Sequence, residues 1–190
     1  DLLIEVGIDQ NASAAFWGGL LSSSYAFTQF VFSPTIGTLS DIFGRRPILL
    51  IASLLLGLDY LVMGFAENIF ILFVGRILGG LAGGTIATGT AYLADLSATK
   101  DKKKNFAIIG AAFGLGFILG PIIGGLMGEI SVRAPFFLSA LLSFLNFFLC
   151  FFLLPETLKL RTKNKFVIKK LNPFFNISYI FKIPLFKGLF

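Results

Sequence analysis

Histidine is absent from this chain of 190 residues, and cysteine occurs once, at Cys150. Those scarcities remove the usual ligands of a structural zinc site and any disulfide within the chain. With no histidine, no cysteine in a reactive setting and no pair of acids inside an apolar stretch, a hydrolase centre has no raw material. The chain is therefore not expected to be an enzyme, and no cofactor is expected. Charge is also sparse, at 14% of residues, against about a quarter in a soluble domain. Lys and Arg number 16 against 10 Asp and Glu. The basic residues sit in short connectors between apolar stretches, so a membrane surface accounts for them and nucleic acid is not an expected partner. No signal-peptide pattern opens the chain. It starts at Asp1 rather than Met and stops at Phe190, in what reads as the approach to another helix. Both ends are therefore expected to be cuts in a longer polypeptide.

What fills the chain is apolar. Hydrophobic residues make up 56%, with 24 Phe and 21 Gly, and the mean hydropathy is +0.87. Five stretches approach the roughly 20 apolar residues needed to cross a hydrocarbon core: Ala14–Ile36, Pro47–Ala66, Ile69–Leu93, Phe106–Met127 and Ala134–Leu154. Short connectors make consecutive spans antiparallel neighbours, and the expected fold is an all-α polytopic membrane bundle. Arg45 and Arg46, then Lys100 and Lys102 to Lys104, then the lysines and Arg161 after Lys159 fall on one side. Arg133 is the single basic residue on the other, beside Asp1, Glu5, Asp9, Glu67 and Glu129. By the positive-inside rule the first of these spans runs from outside to cytoplasm. Residues 1–13 then read as a periplasmic connector, 14–157 as membrane helices and 158–190 as a basic cytoplasmic linker. Within that linker, Leu171–Phe190 has the mixture of an amphipathic helix leading to a further span. One helix upstream would bring the count to six. The Asn11 and Asn176 sequons read as chance.

Five groups of residues depart from plain apolar filler. The first connector runs Gly37-Thr-Leu-Ser-Asp41-Ile-Phe-Gly44-Arg45-Arg46-Pro47. Gly37 permits close helix approach, Gly44 a tight reversal with positive φ, and Asp41 can cap a neighbouring helix N-terminus or pair with Arg45. A positive-inside turn alone would need only Arg45 and Arg46. Arg76 lies inside the third span, where a charge costs about 2.5–3.5 kcal/mol on insertion scales and needs a polar partner or water. The alternative is an Arg that snorkels to the outer headgroups. Gly75, Gly79 and Gly83, with Gly80 and Gly84, mark close helix packing. Asp59 is a bare acid within the second span, either a proton or substrate site or a hydrogen bond between helices. Tyr25, Thr28 and Gln29, in the polar band that starts at Ser22, share a face of the first span; they could line a substrate cavity or pack helices dryly. Gly116, Gly120, Gly124 and Gly128 form one helical stripe beside Gly125, interrupted by Pro121, which bends a helix.

These strings resemble the major facilitator superfamily. Gly37 to Arg46 is similar to the signature between its second and third helices, departing at Ile42, where a basic residue is frequent. Arg76 to Gly80 is similar to its fourth-helix motif. Gly116 to Gly125 resembles its antiporter helix motif, with Ala107 standing where the long form begins with glycine. Leu154-Pro155-Glu156-Thr157-Leu158 resembles the sixth-helix ending of drug/proton antiporters. Leu58-Asp59-Tyr60, Gly128 to Ser131 and Ala134-Pro135-Phe136 resemble the tetracycline group within them. The resemblance runs from about Ala15 to Leu158, as helices 2–6 of the N-terminal six-helix half. It implies alternating access in a bacterial inner membrane, with protons as coupling ion and a small amphipathic drug exported, tetracycline with a divalent metal in the narrowest version. It also implies a C-terminal half as partner, a cytoplasmic latch of Gly37, Asp41, Gly44, Arg45, Arg46 and Asp95, coupling by Asp59 and Arg76, and a rocking interface at Gly116, Gly120, Pro121, Gly124 and Gly125. Another transported substrate is the alternative; a non-transporting membrane scaffold is a further one.

Overall fold

The computed structural model describes residues 2–7, 11–98 and 100–157. The expected linker 158–190 and its Asn176 sequon lie outside them. The described residues form helices only: α1 (Leu2–Glu5), α2 (Asn11–Phe43), α3 (Arg45–Gly64), α4 (Ile69–Gly83), α5 (Ile86–Leu96), α6 (Lys102–Ile130) and α7 (Ala134–Leu153). This is the expected all-α bundle, with changed boundaries. The first span begins at Asn11 and continues through Gly37 and Asp41 to Phe43, so most of the expected connector is helix. Gly44 alone joins α2 to α3, at φ +112, where a side chain would be strained.

Among the described residues, four helical stretches are long and apolar enough to cross a membrane: α3, Ile69–Leu96, α6 and α7. The expected fifth, α2, has the length, at 33 residues and about 1.5 Å of rise for each. The polar band from Ser22 to Gln29 dilutes its apolar content. The expected single span Ile69–Leu93 breaks between α4 and α5, at Gly84 and Thr85. Side chains of α2 serve carbonyls at the break: Gln29 donates to Gly83 O at 3.2 Å and Ser33 to Gly84 O at 3.4 Å. That restores hydrogen bonds where water is scarce. Asn68 starts α4 by accepting from the Ile71 amide at 3.0 Å. Pro135 stands in the first turn of α7, where its missing N–H removes nothing.

Glycine decides which helices meet. A Cβ at Gly57 would stand 2.8 Å from the Phe144 ring, and one at Gly64 2.9 Å from Phe137. The two glycines are seven positions apart (57 to 64), as are the two rings (137 to 144). Antiparallel α3 and α7 therefore mesh over two turns, rings seated in glycine notches. On the other side of α3, α4 packs against α2, with Gly80 pressed to the Tyr25 carbonyl oxygen, 2.7 Å from where a Cβ would lie, and to Thr28. At the end remote from Arg45, Leu21, Met63, Ala66 and Leu72 form a small core, with Leu2, Leu3 and Val6 packed against it. Arg133 closes that end, paired with Glu5 at 3.0 Å and donating to Gly64 O at 3.1 Å. By contrast α6 has no buried residue.

Candidate functional site

Asp59 on α3 and Arg76 on α4 stand opposite one another in the bundle interior. Arg76 Nη2 lies 3.5 Å from Asp59 Oδ2, and the Asp59 side chain is 2% exposed. Their meeting follows from local sequence. Glycine at 75 and 79 leaves α4 without side chains on the face that Asp59 approaches, and a Cβ at Gly79 would overlap its carboxylate. The Arg76 guanidinium lies 5.8 Å from the Tyr25 ring centroid, a cation–π distance. Arg76 thus turns inward, against the snorkelling alternative. Asp59 Oδ1 and Arg76 Nε are buried without a hydrogen-bond partner among the described residues. A buried ion pair of this kind is expensive to leave partly satisfied.

Among the expected cavity residues, Tyr25 borders a cavity. It contributes to a space of about 370 Å³ bounded also by Ser53, Tyr60, Thr85, Asn146 and Cys150. Thr28 is buried, donates to Ser24 O at 2.8 Å and packs on Gly80. Gln29 is spent on the Gly83 carbonyl. Both side chains make helix-packing contacts, because the α4 glycines bring its backbone within their reach.

The second cluster lies at the end where α2 turns into α3. Arg45 Nη1 is 2.6 Å from Asp41 Oδ1, and its Nε is 3.4 Å from Asp95 Oδ2 on α5. Arg45 also donates to the buried Ser40 hydroxyl at 2.6 Å. The structure thus brings Asp41, Gly44, Arg45, Arg46 and Asp95 together. Two expectations change. Gly37 meets nothing that a Cβ would touch among the described residues, so it makes no close helix approach here. Nor does Asp41 cap a helix, since Arg45 engages it. The N-terminus of α3 is capped by Glu156, which accepts from the Arg45 amide at 3.1 Å and the Arg46 amide at 3.3 Å. Sequence reading treated Glu156 only as part of a family string. The available signal was an acid closing a span on the side rich in Lys and Arg.

The expected glycine stripe of α6 stays apart. Gly116, Gly120, Gly124, Gly125 and Gly128 on α6 all face space in which a Cβ would meet nothing within 4 Å. Their neighbours Phe117 and Ile118 are 80% and 63% exposed. Among the described residues this stripe packs no helix.

Across residues 4–190 the chain matches the model of the Major Facilitator Superfamily. The chain belongs to the Major Facilitator Superfamily. Its relatives include the class B tetracycline resistance protein of Escherichia coli, 43% identical over 121 residues, covering 64% of this chain and 30% of that protein. The class E protein of Escherichia coli is 40% identical over 139 residues, covering 73% of this chain and 34% of that one. A crystal structure of the human organic anion transporter MFSD10 superposes with a TM-score of 0.68 at 28% identity, over 82% of this chain and 36% of that one. This member of the superfamily thus spans about a third of the length of those relatives.

Proposed function

We propose that this chain is part of a proton-coupled antiporter that exports a small amphipathic drug, tetracycline as its divalent-metal complex, by alternating access. The observation that carries the reading is the Asp59–Arg76 pair. It is a carboxyl group and a guanidinium inside an apolar bundle, each with a buried atom that has no hydrogen-bond partner among the described residues. Ionisable groups inside membrane helices mark ion and substrate pathways, and a half-satisfied pair is a place where a proton or a ligand atom can be accepted. The tetracycline resistance proteins among its relatives support the choice of drug. Lys100 and Lys102 to Lys104, beside the Asp41–Arg45–Asp95 cluster, support placing that end in the cytoplasm of a bacterial inner membrane. In this reading the cluster latches the cytoplasmic side, while the bare glycine stripe of α6 meets further helices of a longer polypeptide, among them a second six-helix half.

The reading is tested with everted vesicles from cells carrying the intact gene. Tetracycline with Mg²⁺ is expected to discharge an imposed pH gradient, and Asp59→Asn to remove the response. No discharge by the unaltered protein would sink the reading. Export of an organic anion is the second reading, favoured by the broad match to the human organic anion transporter. It predicts discharge by an anionic conjugate and none by tetracycline.

A further inference from the structure

The chain leaving α7 is tied back to the Arg45 cluster at three points. Glu156 accepts hydrogen bonds from the amides of Arg45 and Arg46, at 3.1 and 3.3 Å. Arg46 Nη2 donates to the Phe151 carbonyl at 2.6 Å, with its guanidinium 5.7 Å from the Phe151 ring centroid. The hydroxyl of Tyr92, on α5, donates to the Pro155 carbonyl at 2.9 Å. The carboxylate fits only because residue 44 is glycine. A Cβ there would overlap Glu156, and φ +112 disfavours one in any case. Gly44 therefore has two duties, turning the chain and admitting an acid from 112 positions further along (44 to 156).

We propose that Glu156 is a positioning residue of the end latch, its carboxylate holding the first turn of α3 so that Arg45 can reach Asp41 and Asp95 together. The first amides of a helix have no partner within the helix, and a carboxylate is the favoured cap at its positive end. Arg45 is the first residue of α3. The amide that Glu156 accepts from thus belongs to the same residue whose guanidinium bridges two acids. Fixing that backbone fixes the point from which the side chain swings. Glu156 meets the backbone of Arg45 and Arg46, so it acts on the latch. Its consequence for export rests on the antiporter reading above; its effect on Arg45 does not.

The experiment is hydrogen–deuterium exchange on the intact transporter in lipid nanodiscs, read on the peptide holding residues 44–48. Glu156→Ala is expected to speed exchange of the Arg45 and Arg46 amides by about tenfold, the scale of one hydrogen bond to a charged group. Glu156→Gln, which keeps one acceptor oxygen, is expected to restore part of that protection. Exchange around Gly79 is expected to stay as in the parent protein, which separates a local role from general loosening. Unchanged protection at 44–48 in Glu156→Ala overturns the proposal, as does equal loosening at 44–48 and at Gly79. In the vesicle assay the same substitution is expected to lower the maximal rate with little change in the drug concentration giving half of it. A parent protein that does not respond to tetracycline would defeat the antiporter reading while leaving the exchange result to decide on Glu156.

Discussion

Asp59 and Arg76 tolerate the bundle interior because each is the other's counter-ion, 3.5 Å apart. Removing one leaves an uncompensated buried group, which costs about 3–5 kcal/mol where such pairs have been broken. Arg76→Leu alone is thus expected to lower the melting temperature of the purified intact protein sharply. Asp59→Leu combined with Arg76→Leu is expected to recover much of the loss. Equal melting temperatures for the single and double variants would show that the two side chains do not interact. At the other cluster, Asp41→Asn neutralises one of the two acids that Arg45 bridges, and Arg45→Ala removes both contacts. Both are expected to abolish export in vesicles while leaving the amount of protein in the membrane fraction unchanged. Export surviving both changes would remove the latch role.

Helices α4 and α6 carry glycine at similar spacing, yet they stand in opposite surroundings. On α4, a Cβ at Gly80 would press on the Tyr25 backbone, which cannot step aside as a side-chain tip can. Overpacking of that sort costs about 1–3 kcal/mol, so Gly80→Ala is expected to destabilise the bundle and part α2 from α4. On α6, Gly120→Ala meets no atom within 4 Å, and alanine favours helix over glycine by up to about 1 kcal/mol. Its melting temperature is expected to equal or exceed the parent's. A loss of export in Gly120→Ala without loss of stability would then report contact with helices beyond those described here. The α3–α7 seam belongs with α4: Gly57→Ala is expected to push Phe144 from its notch and lower stability.

For the molecule as a whole, the distribution of exposure is inverted relative to a water-soluble domain. Phe70, Phe117, Phe152 and Ile130 are each more than 70% exposed, while Asp59, Ser40 and Thr88 are among the largest fully buried side chains. Such a surface requires lipid or other helices. The polypeptide is expected to stay with the membrane through alkaline carbonate extraction. A thiol reagent that cannot cross the membrane is expected to label cysteine substituted at Lys103 only in everted vesicles. Labelling from the periplasmic side in intact spheroplasts would reverse the orientation.

The chain of amino acids by itself determined that membrane helices form, and roughly where. Apolarity over 20 residues is a local property, and bilayer thickness sets the length it must reach. The Asp41–Arg45 contact was legible for the same reason, its partners being four positions apart. Depth in sequence could not show that Asp59 faces Arg76, since that depends on the register at which α3 and α4 cross. Nor could it show that Gln29 serves a carbonyl at a helix break, or that Glu156 reaches Arg45 from 111 positions away. Glycine makes the division plain. Its spacing announces a smooth face on α4 and α6 alike, but only the packing of neighbouring helices decides which face is filled.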